Sequence, residues 1–338
     1  MYDSAVKKLW DSFISEASVE DIFSSDFFMK EWERIIIPNA IKTKEQYRNI
    51  SRAGMGYPLD RSKRDIAWSI IEMFYKHCIE RGETDVNLAC RRVADRLYED
   101  GNTVYRYIIV DEVQDFSINK LRVISALSGR AHRDSIFLVG DKMQNIYNNE
   151  TDMDSCGIDI ADRKFQLRVN YRTTDEIARF ASGLLGSENN TVTLSIAHAQ
   201  KPEVLRAAAG DLNVLCPFLE QIQASKETLC IVTPKSTDRD NIRSFLTNRG
   251  FDITLLDQNT FAKNAHSCIA TIHRIKGLEF DHIIIWGIEN WIVDNIPCRF
   301  SSDLAASKEI ERSRRHLAYV AATRARKGLL VIVIDSNI

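Results

Sequence analysis

The sequence predicts an α/β chain in which parallel sheets built from strand–helix–strand units follow an all-helical N-terminal stretch. Three observations carry this. Residues 1 to about 100 place apolar side chains at helical spacing with little strand-like alternation. Beyond them, short β-branched runs alternate with helix-like stretches, the pattern of parallel strands joined by crossover helices. Several of those runs also stop abruptly in polar clusters, and in open α/β sheets ligands bind outside the carboxyl ends of the strands.

In the helical stretch, Val6, Leu9, Trp10, Phe13 and Ile14 share one helical face, as do Ile66, Ile70, Met73 and Phe74, and both stripes read as core. A Gly- and Pro-rich loop between them, Gly54 to Arg64, gathers Arg61, Lys63 and Arg64. Its default reading is a solvated loop, and the sharper one is contact with a phosphate backbone. Next comes Tyr107-Ile-Ile-Val-Asp-Glu112, read as a buried parallel strand ending in acids. A helix from Ile118 to Leu127 leads to a second strand, Ile136 to Val139, which runs into Gly140-Asp-Lys-Met-Gln144. A third strand, Phe165 to Val169, precedes Asn170-Tyr171-Arg172, with Thr173 or Thr174 opening a helix. The signal weakens between about 185 and 225. Then follow strands at 229–233, 253–256, 268–272 and 282–286, a helix at 239–248, an Arg-rich helix at 309–327 and a last strand at 329–334.

The 338 residues suffice for two domains, and a net charge of −2 means that any nucleic-acid surface must be local. Seven scattered cysteines without a CxxC pair point to free thiols in a reducing compartment, ahead of disulfides or zinc. No apolar run is long enough for a membrane span and the N-terminus has no signal-peptide pattern, so a cytoplasmic protein is expected.

Two adjacent acids at a strand end fit metal-assisted phosphoryl transfer. One carboxylate, Asp111, can hold Mg²⁺ as a hard oxygen ligand while Glu112 orients or deprotonates water. A solvated acidic turn is the competing reading. Gln144 can hydrogen-bond a phosphate or its water, or stand in solvent. The arginines at 312, 314, 315, 324 and 326 form a charged face unless a crevice turns them into phosphate ligands.

Taken in order, Val110-Asp-Glu-Val-Gln-Asp115, Val139-Gly-Asp-Lys-Met-Gln-Asn-Ile-Tyr147, Leu167-Arg-Val-Asn-Tyr-Arg172, Thr271-Ile-His-Arg-Ile-Lys-Gly-Leu-Glu-Phe280 and Leu317-Ala-Tyr-Val-Ala-Ala-Thr-Arg-Ala325 resemble the motifs of UvrD/Rep-type superfamily 1 DNA helicases. The resemblance implies two RecA-like parallel-sheet domains, the first incomplete, with an N-terminal helical accessory subdomain. The expected division is 1–104 for the helical subdomain, 105–162 for the rest of the first RecA-like domain, and 163–338 for the second. It implies ATP and Mg²⁺ as cofactors and single-stranded DNA as partner. Asp111 would hold the metal, Glu112 activate water, and Gln144 sense the γ-phosphate. Tyr171 would stack on adenine, Arg172 and Arg324 would reach the γ-phosphate, Glu279 would bind ribose and Gly277 would let backbone approach the nucleotide. Tyr147 and His273 would contact single-stranded DNA.

The sequence departs from that family in three ways. Residues 1–105 hold only Gly54, Gly56, Gly82 and Gly101, none followed by Lys-Ser or Lys-Thr, so the phosphate-cradling P-loop is not among them. Binding and hydrolysis of ATP by this chain alone are therefore expected to be deficient. A shortened product, a loop carried by another chain and a natural pseudoenzyme all stand open as explanations. Asn149 and Glu150 stand where the family places Trp and Arg, which weakens single-strand binding. About a hundred residues separate Arg172 from His273, too few for the large second accessory subdomain. The leading expectation is part of an ATP-dependent DNA translocase. Its rivals are a non-hydrolysing adaptor that binds DNA or a protein such as a nuclease, and a free-standing metal hydrolase using the acid pair.

Overall fold

The computed structural model describes residues 3–52, 55, 59–101, 103–128, 134–141, 153–167, 169–186, 194–225, 227–257, 266–288, 292 and 304–335. Its contacts divide into two compact units, Met1–Lys164 and Phe165–Ile338.

The first unit opens with helices α1 (Asp3–Glu16), α2 (Ser25–Glu31), α3 (Lys44–Asn49), α4 (Arg61–Arg81) and α5 (Val86–Asp100), with a π-helical turn at Trp32–Ile36. Local sequence sets their ends. Thr43 and Gln46 form a capping box on α3, Asp60 and Asp85 cap α4 and α5, and Gly82 and Gly101 close them with positive φ. The two sequence stripes meet in an aromatic core, where Trp10 stacks on Phe74 at 4.1 Å and on Phe28 at 5.1 Å. Beside that core lies a buried ion pair. Arg52 donates to both carboxylate oxygens of Glu31 at 2.8 and 2.7 Å, and the Tyr47 hydroxyl donates to the same group at 2.7 Å. Arg64 is committed to the chain as well, since its guanidinium donates to the carbonyls of Tyr47, Arg48 and Ile50. Of the three loop cations it is therefore the one taken out of reach of a phosphate backbone.

Strands β1 (Ile108–Val110) and β2 (Ile136–Leu138) pair in parallel through helix α6 (Ile118–Ser128). Parallel pairing is as predicted, but burial on both faces is not. Ile136 and Leu138 pack toward Leu121 of α6, whereas Ile109 and its partner Phe137 point the other way and are 77% and 62% exposed. Tyr107 and Val139 extend this open apolar face, because side chains two apart in a strand share a side. The strand alone could not reveal this. Burial depends on what covers it, and among the described residues nothing does.

In the second unit, β3 (Val169–Asn170) pairs with β4 (Leu194–Ser195), and a six-stranded parallel sheet runs in the order β5-β10-β9-β6-β8-β7. Its strands are β5 (Glu203–Ala208), β6 (Leu229–Thr233), β7 (Thr254–Leu255), β8 (Ser267–Thr271), β9 (Phe280–Trp286) and β10 (Ala325–Asp335). Helices α8 (Cys216–Ser225) and α9 (Ser236–Asn248) cover one face through Leu219, Ile222, Ile242 and Leu246. Helices α7 (Asp175–Leu184) and α10 (Leu304–Ala322) pack on each other, and α10 also meets β9. Every residue of β6 is buried. This is the α/β, RecA-like arrangement the sequence anticipated.

Three details of that unit differ from expectation. The strand placed at 165–169 forms only at Val169–Asn170, and Phe165 and Leu167 are almost fully exposed. The weak stretch at 185–225 holds β4, β5 and α8. The Arg-rich helix stops at Ala322 instead of 327, because the turn through Thr323 and Arg324 leads straight into β10.

Candidate functional site

Asp111 and Glu112 leave the carboxyl end of β1 as predicted. The Glu112 backbone N–H donates to the Asp111 carboxylate at 2.8 Å, a tight local turn that keeps the two acids together. Glu112 sits in the left-handed region at φ 52°, ψ 43°, a conformation uncommon outside glycine and one often held at functional positions. Sequence reasoning passed over Gln114, which anchors this turn. Its amide donates to the Glu112 carboxylate, and its Oε1 accepts from the Asp141 N–H at 3.1 Å. Gln114 is buried against Gly140, where a Cβ would sit 2.5 Å from that Oε1. The side chain thus ties the end of β1 to the end of β2, together with the bond from the Val113 N–H to the Val139 carbonyl. Oxygen donors alone, two carboxylates on adjacent residues, make a hard set suited to Mg²⁺. Gln144 and Tyr147 lie outside the described residues.

The second unit holds the other candidates. The Asn170 side chain accepts from the N–H groups of Arg172 and Thr173 at 2.8 and 3.3 Å, an Asx turn that leaves Tyr171 79% exposed with its ring free to stack. Thr174 caps α7 by accepting from the Ile177 N–H. Arg172 Nε pairs with Glu279 Oε1 at 2.6 Å, while Arg326 Nε and Nη2 reach Glu279 Oε2 at 2.9 and 2.5 Å. Partial burial opposes the Glu279 charge. The Arg326 hydrogen bond and the fields of Arg172, Arg326 and Arg324 outweigh it, so this carboxyl titrates below the usual glutamate range.

Arg324 is 1% exposed and donates from Nε to the Val320 carbonyl at 3.2 Å. The Thr173 hydroxyl donates to the Thr323 carbonyl at 3.4 Å, joining the two motif segments. Gly277 adopts φ 77° in the turn before β9, so its backbone requires glycine at this position. In the sequence Arg326 is one of five arginines in or beside the predicted helix at 309–327. Its pairing with Glu279, 47 residues earlier, had no local signal.

His273 is in a different place. It follows the carboxyl end of β8, whereas Glu279, Arg324 and Arg326 stand at the amino-terminal ends of β9 and β10. Desolvation by the surrounding chain and the neighbouring Arg274 push its imidazole below the ordinary histidine value.

Six described cysteines are free thiols, and no cluster of three or more metal-type ligands occurs among the described residues. No described helix is long and apolar enough to cross a membrane.

Comparison with known proteins matches residues 40–150 to the UvrD/REP helicase N-terminal domain and residues 262–336 to the UvrD-like helicase C-terminal domain. A protein of Acanthamoeba polyphaga mimivirus, named as a candidate ATP-dependent DNA helicase, is 24% identical over 258 residues, 69% of this chain and 35% of its own length. A protein of Rickettsia conorii named as a DNA helicase II homologue is 39% identical over 69 residues, 20% of this chain and 10% of that protein. The chain therefore spans about a third or less of the length of these relatives. Among solved structures, the C-terminal domain of a possible DNA helicase from Lactobacillus plantarum WCFS1 matches with a TM-score of 0.37 and 20% identity, covering 49% of this chain and 88% of that one.

Proposed function

We propose that this chain, a member of the UvrD-like DNA helicase family by its two matched domains, is the part of an ATP-driven motor that carries the hydrolytic acids and the adenine-side arginines. The observation that carries this reading is the acid turn at the end of β1. The Glu112 N–H holds the Asp111 carboxylate beside it, the buried Gln114 amide holds the Glu112 carboxylate, and Glu112 itself takes a left-handed backbone uncommon outside glycine. Such a pair suits one metal-holding and one water-activating carboxylate. Bound Mg²⁺ would neutralise developing phosphate charge. Glu112 would accept the proton of the attacking water, and Asp111 would hold the metal.

Tyr171 would carry adenine on its open ring, Gly277 would admit the nucleotide past a backbone without a side chain, and Arg172 and Arg324 would reach the γ-phosphate. Gln144 would relay its state to DNA. Single-stranded DNA would run past Tyr147 and His273, contacts that tolerate any base. The phosphate-cradling loop would come from polypeptide outside these residues. The open apolar face of Ile109 and Phe137 supports that reading, because parallel strands are ordinarily covered on both sides. The chain would work in the cytoplasm, with feeble ATP turnover when alone.

DNA-stimulated ATP hydrolysis by the chain, measured alone and within its longest natural polypeptide, tests the proposal. In the longer form we expect hydrolysis that rises with single-stranded DNA and falls roughly 100-fold or more in Glu112→Gln, the loss of one base with its positioning role. DNA or protein binding that is indifferent to nucleotide, with no turnover in either form, would favour the adaptor reading instead.

A further inference from the structure

Glu279 is shared. One carboxylate oxygen takes Arg172, and the other takes Arg326 through two N–H groups. The side chains of both arginines are about half exposed, and that of Glu279 is 24% exposed, so the three groups meet at an accessible edge of the second unit. Arg324 adds a third positive field at the same carboxylate. A planar guanidinium fork that fits a carboxylate fits a phosphate equally well, and the Arg172 Nε that holds Glu279 Oε1 cannot hold a phosphate oxygen at the same time.

Resting on the nucleotide reading above, we propose that Glu279 is the resident anion of this arginine cluster and that Arg326 is its positioning residue. When a nucleotide phosphate claims Arg172, Glu279 Oε1 is released while Oε2 stays on Arg326. The freed oxygen, on a carboxylate still anchored through Oε2, becomes an acceptor for a ribose hydroxyl. The same carboxylate thus competes with one part of the nucleotide and binds another. Recognition then needs both halves of the ligand, since phosphate alone must break the Arg172 pair with nothing to occupy the freed oxygen. Arg326 keeps the carboxylate ionised and in place throughout the exchange. No covalent step is involved.

Calorimetric binding to the full chain separates the two roles, with inorganic triphosphate, ATP and 2′,3′-dideoxy-ATP as probes. Glu279→Gln should bind triphosphate about 5- to 10-fold more tightly, because the competing anion is gone, a shift of roughly one pKa unit's worth of interaction. In the unaltered chain ATP should bind more tightly than dideoxy-ATP. Arg326→Ala should collapse that preference toward the value of Glu279→Gln, and Arg326→Lys should restore part of it. Triphosphate affinity unchanged or weakened in Glu279→Gln would overturn the proposal. So would an undiminished ribose preference in Arg326→Ala. If ATP binding depends on Tyr171 while triphosphate is indifferent to Glu279, the exchange is overturned and the nucleotide-site reading stands. Tightened triphosphate binding with no ATP binding would overturn both, because the freed oxygen would then take no ribose.

Discussion

The six-stranded sheet and the β1–β2 sheet are built from the same kind of sequence and end in different states. Ile283-Ile-Ile285 in β9 and Ile108-Ile-Val110 in β1 are both β-branched runs, yet the first is buried along its length and the second leaves Ile109 in solvent. The six-stranded sheet has helices on both faces, and the β1–β2 sheet has, among the described residues, α6 on one face and nothing on the other. The difference teaches that apolar runs specify strands, while burial belongs to the layers around them. The candidate residues divide along a related line. The acids emerge at the carboxyl end of β1, as open α/β sheets lead one to expect, whereas the Glu279 and arginine cluster gathers at the amino-terminal ends of β9 and β10.

The strongest probe of this contrast is a pair of truncations. Ile284→Ala, at a position 2% exposed in the closed sheet, should cost about 2–5 kcal/mol in urea unfolding, the range for a large-to-small change in a packed core. Ile109→Ala should stay within about 0.5 kcal/mol of the unaltered chain, as surface changes do. An Ile109→Ala cost close to that of Ile284→Ala would break the comparison, since the open face would then have a cover. A smaller effect is expected at Gly277. Its φ of 77° makes Gly277→Ala cost about 1–2 kcal/mol from backbone strain alone, because the surrounding space is open. Thermal unfolding with no shift would mean that the turn before β9 relaxes freely.

The smallest effect depends on pH. Glu279 titrates below its ordinary range in the folded chain, so its ion pairs stabilise fully above the unfolded value of about 4.3. That stability is lost as pH falls through the lower folded value. The difference in Tm between the unaltered chain and Glu279→Gln should accordingly be largest near pH 7 and vanish in acid. A difference independent of pH would mean that Glu279 acts through packing and not through charge.

How much of this was legible beforehand follows the range of each interaction. Helix caps at Asp60, Asp85 and Thr174 are set by neighbours within four residues, and the sequence narrows the last to Thr173 or Thr174. The acid pair and the strand ends around it were legible for the same reason. The Gln114 bridge to Asp141 spans 27 residues, and the Arg326 contact to Glu279 spans 47, so neither leaves a local pattern. Arg64, read as one of three loop cations, is claimed by carbonyls 14 to 17 residues away. Phe165 and Leu167 look like strand residues because they alternate, but among the described residues no strand pairs with them.

The claim on which the nucleotide assignment depends is that the open ring of Tyr171 is an adenine platform beside the arginine cluster. Equilibrium binding of a fluorescent ATP analogue to the full chain, with and without Tyr171→Ala, tests it most directly. Loss of a stacking platform worth about 1–3 kcal/mol should weaken the analogue roughly 5- to 150-fold while leaving inorganic triphosphate unaffected. Equal affinity for the analogue in both proteins would contradict the assignment.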